Sequence, residues 1–238
     1  MKKFCIGDIH GSYKGLIQCL ERSSFNKEED TLITLGDIAD GWSQVPECIE
    51  ELLSIKNLIT IKGNHDEWTY EWLKDNLAPI NWTSQGGQAT IDAYEKQPHL
   101  KEKHLHEFFS KQLPYYIDES NRAFVHAGYT SLDGLGNETI EDEYWWDRKL
   151  WVIALGAKNP FIRGDSELPK ILRPHTEIFI GHTTTTRWGI STPINACNVW
   201  NIDTGGGWDG KITIMDIDSK EFFQSNTCSE LYPDEKGR

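Results

Sequence analysis

Residues 4–11 read Phe4-Cys5-Ile6-Gly7-Asp8-Ile9-His10-Gly11, and the same grammar returns twice in the first third of the chain. Thr31-Leu32-Ile33-Thr34-Leu35 runs into Gly36-Asp37, and Leu58-Ile59-Thr60-Ile61 runs into Gly63-Asn64-His65-Asp66. Each is a short apolar or β-branched run closed by glycine and a polar side chain, as in a buried strand entering a tight turn. Between the runs, Leu16, Ile17 and Leu20 share one face at helical spacing, and so do Val45, Ile49, Leu52 and Leu53 within Val45–Ser54. Strand, turn and helix in threefold succession predict a βαβαβ unit with a largely parallel sheet.

The pattern continues more loosely. Residues 67–112 read as mainly helical and polar, broken by Pro79, Gly86-Gly87 and Pro98, and are expected to cover one face or rim a site. Strands are expected at Arg122–Val125, Glu177–Ile180 and Val199–Ile202, a Trp-rich helical stretch over 137–155, and a closing hairpin from Lys211–Asp216 and Glu221–Gln224. Gly205-Gly206-Gly207 reads as a turn, since neither G-K-[ST] nor a helix follows it. With no linker, repeat or low-complexity run, residues 1–238 are expected to form a single domain.

Composition narrows the function classes. A chain of 238 residues is long enough to bury its own core. No window approaches the ~18 apolar residues of a membrane span, and Met1–Asp8 has lysines but no apolar h-region. The expectation is a cytoplasmic protein with no membrane partner. The net charge of −13 argues against duplex nucleic acid as a partner, because backbone binding needs a basic surface. It does not argue against phosphate substrates, since a bound cation inverts the local sign. Five scattered cysteines (Cys5, Cys19, Cys48, Cys197, Cys228) read as reduced thiols, not as a disulfide framework or zinc ribbon.

The polar residues concentrate at strand ends: Asp8 and His10, Asp37, Asn64 and His65, His126, and His182. In open α/β sheets ligands bind beyond the carboxyl ends of strands, so side chains scattered along the sequence can meet in one pocket. Hard oxygen mixed with imidazole nitrogen suits Mn²⁺, Fe or Zn²⁺ better than Ca²⁺. A set of six of them (Asp, His, Asp, Asn, His, His) exceeds one catalytic ion's usual three and suffices for two ions sharing a carboxylate.

Gly7-Asp8-Ile9-His10-Gly11, Gly36-Asp37-Ile38-Ala39-Asp40-Gly41, Gly63-Asn64-His65-Asp66, His126 and Gly181-His182, in this order, resemble the calcineurin-like metallophosphoesterases. Among these the chain is most similar to the bacterial branch of the phosphoprotein phosphatases, which includes protein phosphatases and symmetrical diadenosine tetraphosphate hydrolases. The resemblance implies an α/β sandwich of mixed sheets packed face to face with helices outside. It implies two divalent ions, with manganese foremost: Asp8 and His10 on the first, Asp37 bridging, and Asn64, His126 and His182 on the second. It further implies a metal-held hydroxide as nucleophile, His65 as proton donor to the leaving oxygen, and Asp40 orienting His65. The expected substrate is a phosphorylated protein or a small phosphate ester; the alternatives are diadenosine tetraphosphate and a catalytically weak phospho-binding module.

Two departures stand out. Gly181-His182-Thr183-Thr184 lacks the second histidine of G-H-x-H, which disfavours the cyclic-nucleotide phosphodiesterase branch. Asp40-Gly41-Trp42 lacks the phosphate-gripping arginine of G-D-x-x-D-R-G, so Arg148 and, second, Arg187 are expected to bind the phosphate. Plainer readings stand beside these. Asp40 could cap the helix that follows, His126 and His182 could be core histidines, and Arg148 could pair with Asp147 or Glu143. His99, His104 and His106 read as part of a solvated helix, and Trp145, Trp146 and Trp151 as core or as a substrate groove.

Overall fold

The computed structural model describes residues 1–158 and 168–238. Among them the strands are β1 (Lys3–Ile6), β2 (Thr31–Thr34), β3 (Asn57–Thr60), β4 (Tyr115–Ile117), β5 (Arg122–Val125), β6 (Glu177–Ile180), β7 (Ile194–Ala196), β8 (Val199–Asn201), β9 (Thr213–Asp216) and β10 (Phe222–Gln224). They form two five-stranded sheets, ordered β10-β9-β1-β2-β3 and β4-β5-β6-β8-β7. The predicted βαβαβ unit is present: β1, β2 and β3 are parallel, with α1 (Tyr13–Arg22) and α2 (Val45–Leu53) as crossovers. The closing hairpin adds β9 and β10 antiparallel on the other side of β1. In the second sheet β5, β6 and β8 are parallel, while β4 and β7 lie antiparallel at its edges. Those two edge strands were not expected; at three residues each they are too short to display an alternation.

The strands explain the layering. Side chains alternate between faces with a period of two. Phe4 and Ile6 of β1 therefore face one way into a core with Leu16, Leu20, Val45 and Ile49 of the helices, while Cys5 faces the other sheet. Ala123 and Val125 of β5 join Trp145, Leu150 and Trp151 in a second outer core, and Phe124 points inward. Between the sheets lie Cys5, Ile33, Leu35, Phe124, Phe179, Ile202 and Met215, giving the α/β sandwich of mixed sheets that was expected. Phe124 and Phe179 stack there with centroids 5.0 Å apart and planes 9° from parallel. Phe124→Ala is expected to lower the unfolding free energy by about 3–5 kcal/mol, read as a lower urea midpoint at unchanged slope.

The excursion after β3 carries α3 (Asn64–Asp75), α4 (Gln88–Lys96) and α5 (Lys101–Glu107). It is less polar inside than its composition suggests: Trp72, Trp82, Tyr94, Phe108 and Phe109 are buried against the first sheet's helical layer. The expectation for His104 is corrected. His99 and His106 are exposed, but His104 is fully buried, with the Tyr94 hydroxyl 2.7 Å from Nδ1 and Nε2 donating to Glu50 at 2.8 Å. The Trp-rich stretch is two helices, α6 (Glu143–Trp146) and α7 (Lys149–Lys158), separated at Asp147-Arg148. The Asp147 carboxylate accepts from the amides of Lys149 and Leu150 at 3.0 and 2.8 Å and so starts α7. One further helix, α8 (Cys228–Leu231), follows the hairpin.

Candidate metal centre

The C-terminal ends of the parallel strands converge. Asp8 and His10 follow β1, Asp37 follows β2, Asn64 and His65 open α3 after β3, His126 follows β5 and His182 follows β6. All seven side chains are buried. The turns carrying them are tight enough to force the backbone. His10, Asp37, Asp40 and His182 all have φ between 51° and 71°, a region non-glycine residues seldom occupy and one that concentrates at functional sites. Two neighbouring glycines are obligatory. A Cβ on Gly63 would lie 2.1 Å from Asp37 Oδ1, and one on Gly181 2.2 Å from Asp8 Oδ1.

Hydrogen bonds aim the imidazoles. His10 Nδ1 donates to the Ala39 carbonyl at 3.0 Å, and His126 Nδ1 to the Leu35 carbonyl at 2.7 Å. In its neutral form each ring would present the lone pair of Nε2 to the pocket. Around His126 Nε2 stand Asn64 Oδ1 and His182 Nδ1, each at 3.2 Å, and Asp37 Oδ2 at 3.3 Å. His10 Nε2 faces Asp37 Oδ2 at 3.6 Å and Asp8 Oδ2 at 3.8 Å. Asp37 Oδ2 and His182 Nε2 are buried without a hydrogen-bond partner. A cation lying among these carboxylates and imidazoles would satisfy both orphaned atoms. Two sets of ligand atoms could hold one, Asp8–His10–Asp37 and Asp37–His126–His182, each within 4.8 Å and sharing Asp37.

The buried acids and imidazoles set one another's protonation. Burial, together with Asp203 and Asp37, pushes Asp8 well above the carboxylate range. Although burial opposes it, His126, His65 and His10 hold Asp37 well below that range. Burial also disfavours a charged His126, yet the Asp37 carboxylate beside it raises it to about 9. His10 and His182 are depressed well below their usual value by burial, then by Arg238 and His126 respectively. Those two rings are in the neutral form that binds cations.

His65 is handled separately. Its Nδ1 donates to Asp40 Oδ2 at 2.6 Å, and its buried Nε2 has no partner. Asp40 is not a helix cap. Its carboxylate also accepts from Trp82 Nε1 and Thr90 Oγ1, both at 2.7 Å, so the excursion after β3 braces it. Arg148 pairs with neither Asp147 nor Glu143; it donates to Thr183 Oγ1 at 2.7 Å, beside His182. Arg148 and Arg187 line one pocket with His10, His182, Asp203 and Arg238. The tryptophans divide: Trp145 and Trp151 are core, while Trp146 is 41% exposed with its ring 6.2 Å from His182.

The sequence reading missed three side chains here. Asp66 accepts from the amides of Ile38, Ala39 and Gly63 at 2.9–3.1 Å and so ties the Asp37 turn to the His65 turn. Burial, with Asp37 nearby, raises it to about 6. Asp203 follows β8 as the other acids follow their strands, and burial raises it to about 6. The strand-end rule could have found it. Arg238 carried no sequence signal.

The calcineurin-like phosphoesterase family pattern matches residues 1–185. The chain belongs to this family. It is 26% identical to the symmetrical bis(5'-nucleosyl)-tetraphosphatase of Neisseria gonorrhoeae over 94% of this chain and 95% of that protein. It is 30% identical to serine/threonine-protein phosphatase 2 of Escherichia coli over 59% of this chain and 65% of that protein. In fold it is similar to a Saccharomyces cerevisiae protein serine/threonine phosphatase (TM-score 0.61, 13% identity, 95% and 80% of the two chains). It is also similar to a metallophosphoesterase from Sphaerobacter thermophilus (TM-score 0.56, 17% identity, 95% and 89%). The chain is thus a phosphoester hydrolase. No helix among the described residues is long and apolar enough to cross a membrane.

Proposed function

We propose that residues 1–238 form one catalytic domain that hydrolyses phosphate esters at a dinuclear centre. The observation that carries this is the sharing of Asp37 between two buried ligand sets, with His65 paired to Asp40 beside them. Asp8 and His10 would hold the first ion, Asp37 both, and Asn64, His126 and His182 the second. Two Mn²⁺ ions suit this mixture of oxygen and imidazole, with Fe or Zn²⁺ as substitutes. When bound, such ions polarise the phosphoryl oxygens and bring the pKa of water toward neutrality.

The rest falls to the chain's own groups. His65 donates a proton to the departing oxygen from Nε2, the atom left without a partner. Asp40 fixes its ring by accepting from Nδ1, while Trp82 and Thr90 hold Asp40 in place. Trp82→Phe keeps the aromatic packing and removes one of these donors. It is expected to lower kcat about 10-fold or more at unchanged metal content, measured by steady-state phosphate release with metal analysis.

The leading substrate is a phosphorylated protein side chain. Arg148 and Arg187 offer guanidinium donors to the oxygens of one phosphoryl group. The net charge of −13 repels a tetraphosphate more strongly than a monoester. Diadenosine tetraphosphate is the second reading, favoured by the near-complete coverage of the Neisseria relative. The assay that separates them offers metal-stripped, Mn²⁺-reloaded protein phosphopeptides and diadenosine tetraphosphate side by side. Release from the peptides supports the first reading, and cleavage of the dinucleotide alone replaces it with the second. The cytoplasm, where such substrates and reduced cysteines coexist, is the proposed compartment.

A further inference from the structure

The pocket above the metal ligands carries one more cation than the sequence motifs suggest. Arg238, in the segment after α8, reaches back across the molecule. Its amide donates to the Gly207 carbonyl at 2.8 Å, and its aliphatic stem runs through a channel lined by three glycines. A Cβ would lie 3.4 Å from Arg238 Cγ at Gly41, 3.1 Å from Cγ at Gly86, and 3.0 Å from Cδ at Gly207. Gly41 itself has φ +93°, a conformation side chains seldom adopt, and its Cβ would also stand 3.3 Å from the His10 carbonyl. The backbone therefore disfavours an arginine at position 41, and the stem of Arg238 fills the space beside it.

The guanidinium ends where an anion would be needed. One terminal nitrogen is 3.1 Å from His10 Nε2, the group lies 5.4 Å from the Trp208 ring, and Nε is buried without a partner. Among the described residues no carboxylate forms a salt bridge with it. Arg148 and Arg187 line the same pocket. Burial first, then the charges of Arg187 and Arg238, depress Arg148, so the three cations feel one another. Three guanidiniums sharing one pocket with the single carboxylate of Asp203 leave an excess of positive charge, which an anion with several acceptor oxygens would balance. A phosphoryl group presents three such oxygens around phosphorus.

We infer that Arg238 is a phosphate-binding residue of this site, gripping the substrate phosphoryl together with Arg148 in place of the side chain that Gly41 lacks. This rests on the phosphoester-hydrolase reading above.

The test uses the full chain loaded with Mn²⁺, as wild type, Arg238→Ala and Arg238→Lys. Inorganic phosphate binding is measured by calorimetry, and p-nitrophenyl phosphate turnover by steady-state kinetics. In Arg238→Ala phosphate affinity is expected to fall about 10- to 100-fold, with KM rising in parallel. Manganese content is expected to stay constant, and Arg238→Lys to recover part of the loss. Wild-type binding and turnover with an Arg238→Ala variant of equal phosphate affinity would overturn the inference alone. So would tighter Mn²⁺ binding in that variant at unchanged phosphate affinity, because Arg238 would then only cap His10. A manganese-loaded wild type that neither binds nor releases phosphate would overturn both readings. Should Arg238→Ala fail to fold, Arg238→Lys carries the same comparison, since a point charge does not replace a planar fork.

Discussion

Asp37→Asn is expected to reduce phosphate release about 10³-fold or more, because it removes the charge shared by both ligand sets. The substitution keeps the size of the side chain and the acceptor for the His65 amide, which now bonds Oδ1 at 3.0 Å. The loss should therefore be chemical, not a failure to fold. Metal analysis after reconstitution should find fewer than two ions per chain, while the metal-free protein still unfolds cooperatively but at a lower urea midpoint. That last expectation follows from the neighbouring rings: His126, His65 and His10 outweigh burial and hold Asp37 ionised, so neutralising it forfeits their attraction. Full metal occupancy in Asp37→Asn would count against a bridging role.

His65→Asn should leave both ions in place and lower kcat by about 10²–10⁴-fold. The ring lies outside both ligand sets and is bonded to Asp40. A proton donor matters in proportion to the basicity of the leaving oxygen. The defect should be largest with alkyl phosphates such as phosphoserine peptides and smallest with p-nitrophenyl phosphate, whose leaving group departs readily as an anion. Equal losses on both substrates would assign His65 to positioning alone. The two substitutions thus separate on one pair of measurements: Asp37→Asn changes metal content, whereas His65→Asn changes the dependence on leaving group.

Much of this candidate site is legible in the sequence because its proposed ligands follow strands. Asp8, Asp37, Asn64, His126 and His182 each sit within a few residues of an apolar run, and parallel strands deliver their ends to one edge. The same logic reaches Asp203 once β8 is seen to run parallel to β6. What it does not reach are groups brought in by tertiary packing. Trp82 and Thr90 lie in an excursion whose composition reads as polar, with nothing to single out these two, yet their donors close on Asp40 from 42 and 50 residues away. His104 is buried for a related reason: a helix with charges on its outer face can still turn one imidazole inward if Tyr94 and Glu50 satisfy both nitrogens. Arg238 reaches His10 across 228 residues, with no periodicity or motif to announce it. The edge strands β4 and β7 escape for want of length, not of pairing.

The most direct test of the central claim is a crystal structure of the Mn²⁺-loaded protein with anomalous scattering recorded at the manganese edge. Two anomalous peaks about 3.5–4 Å apart, flanking Asp37 with Asp8 and His10 on one side and Asn64, His126 and His182 on the other, are the expected result. A single peak, or peaks away from Asp37, would contradict a dinuclear phosphoester hydrolase built on these residues.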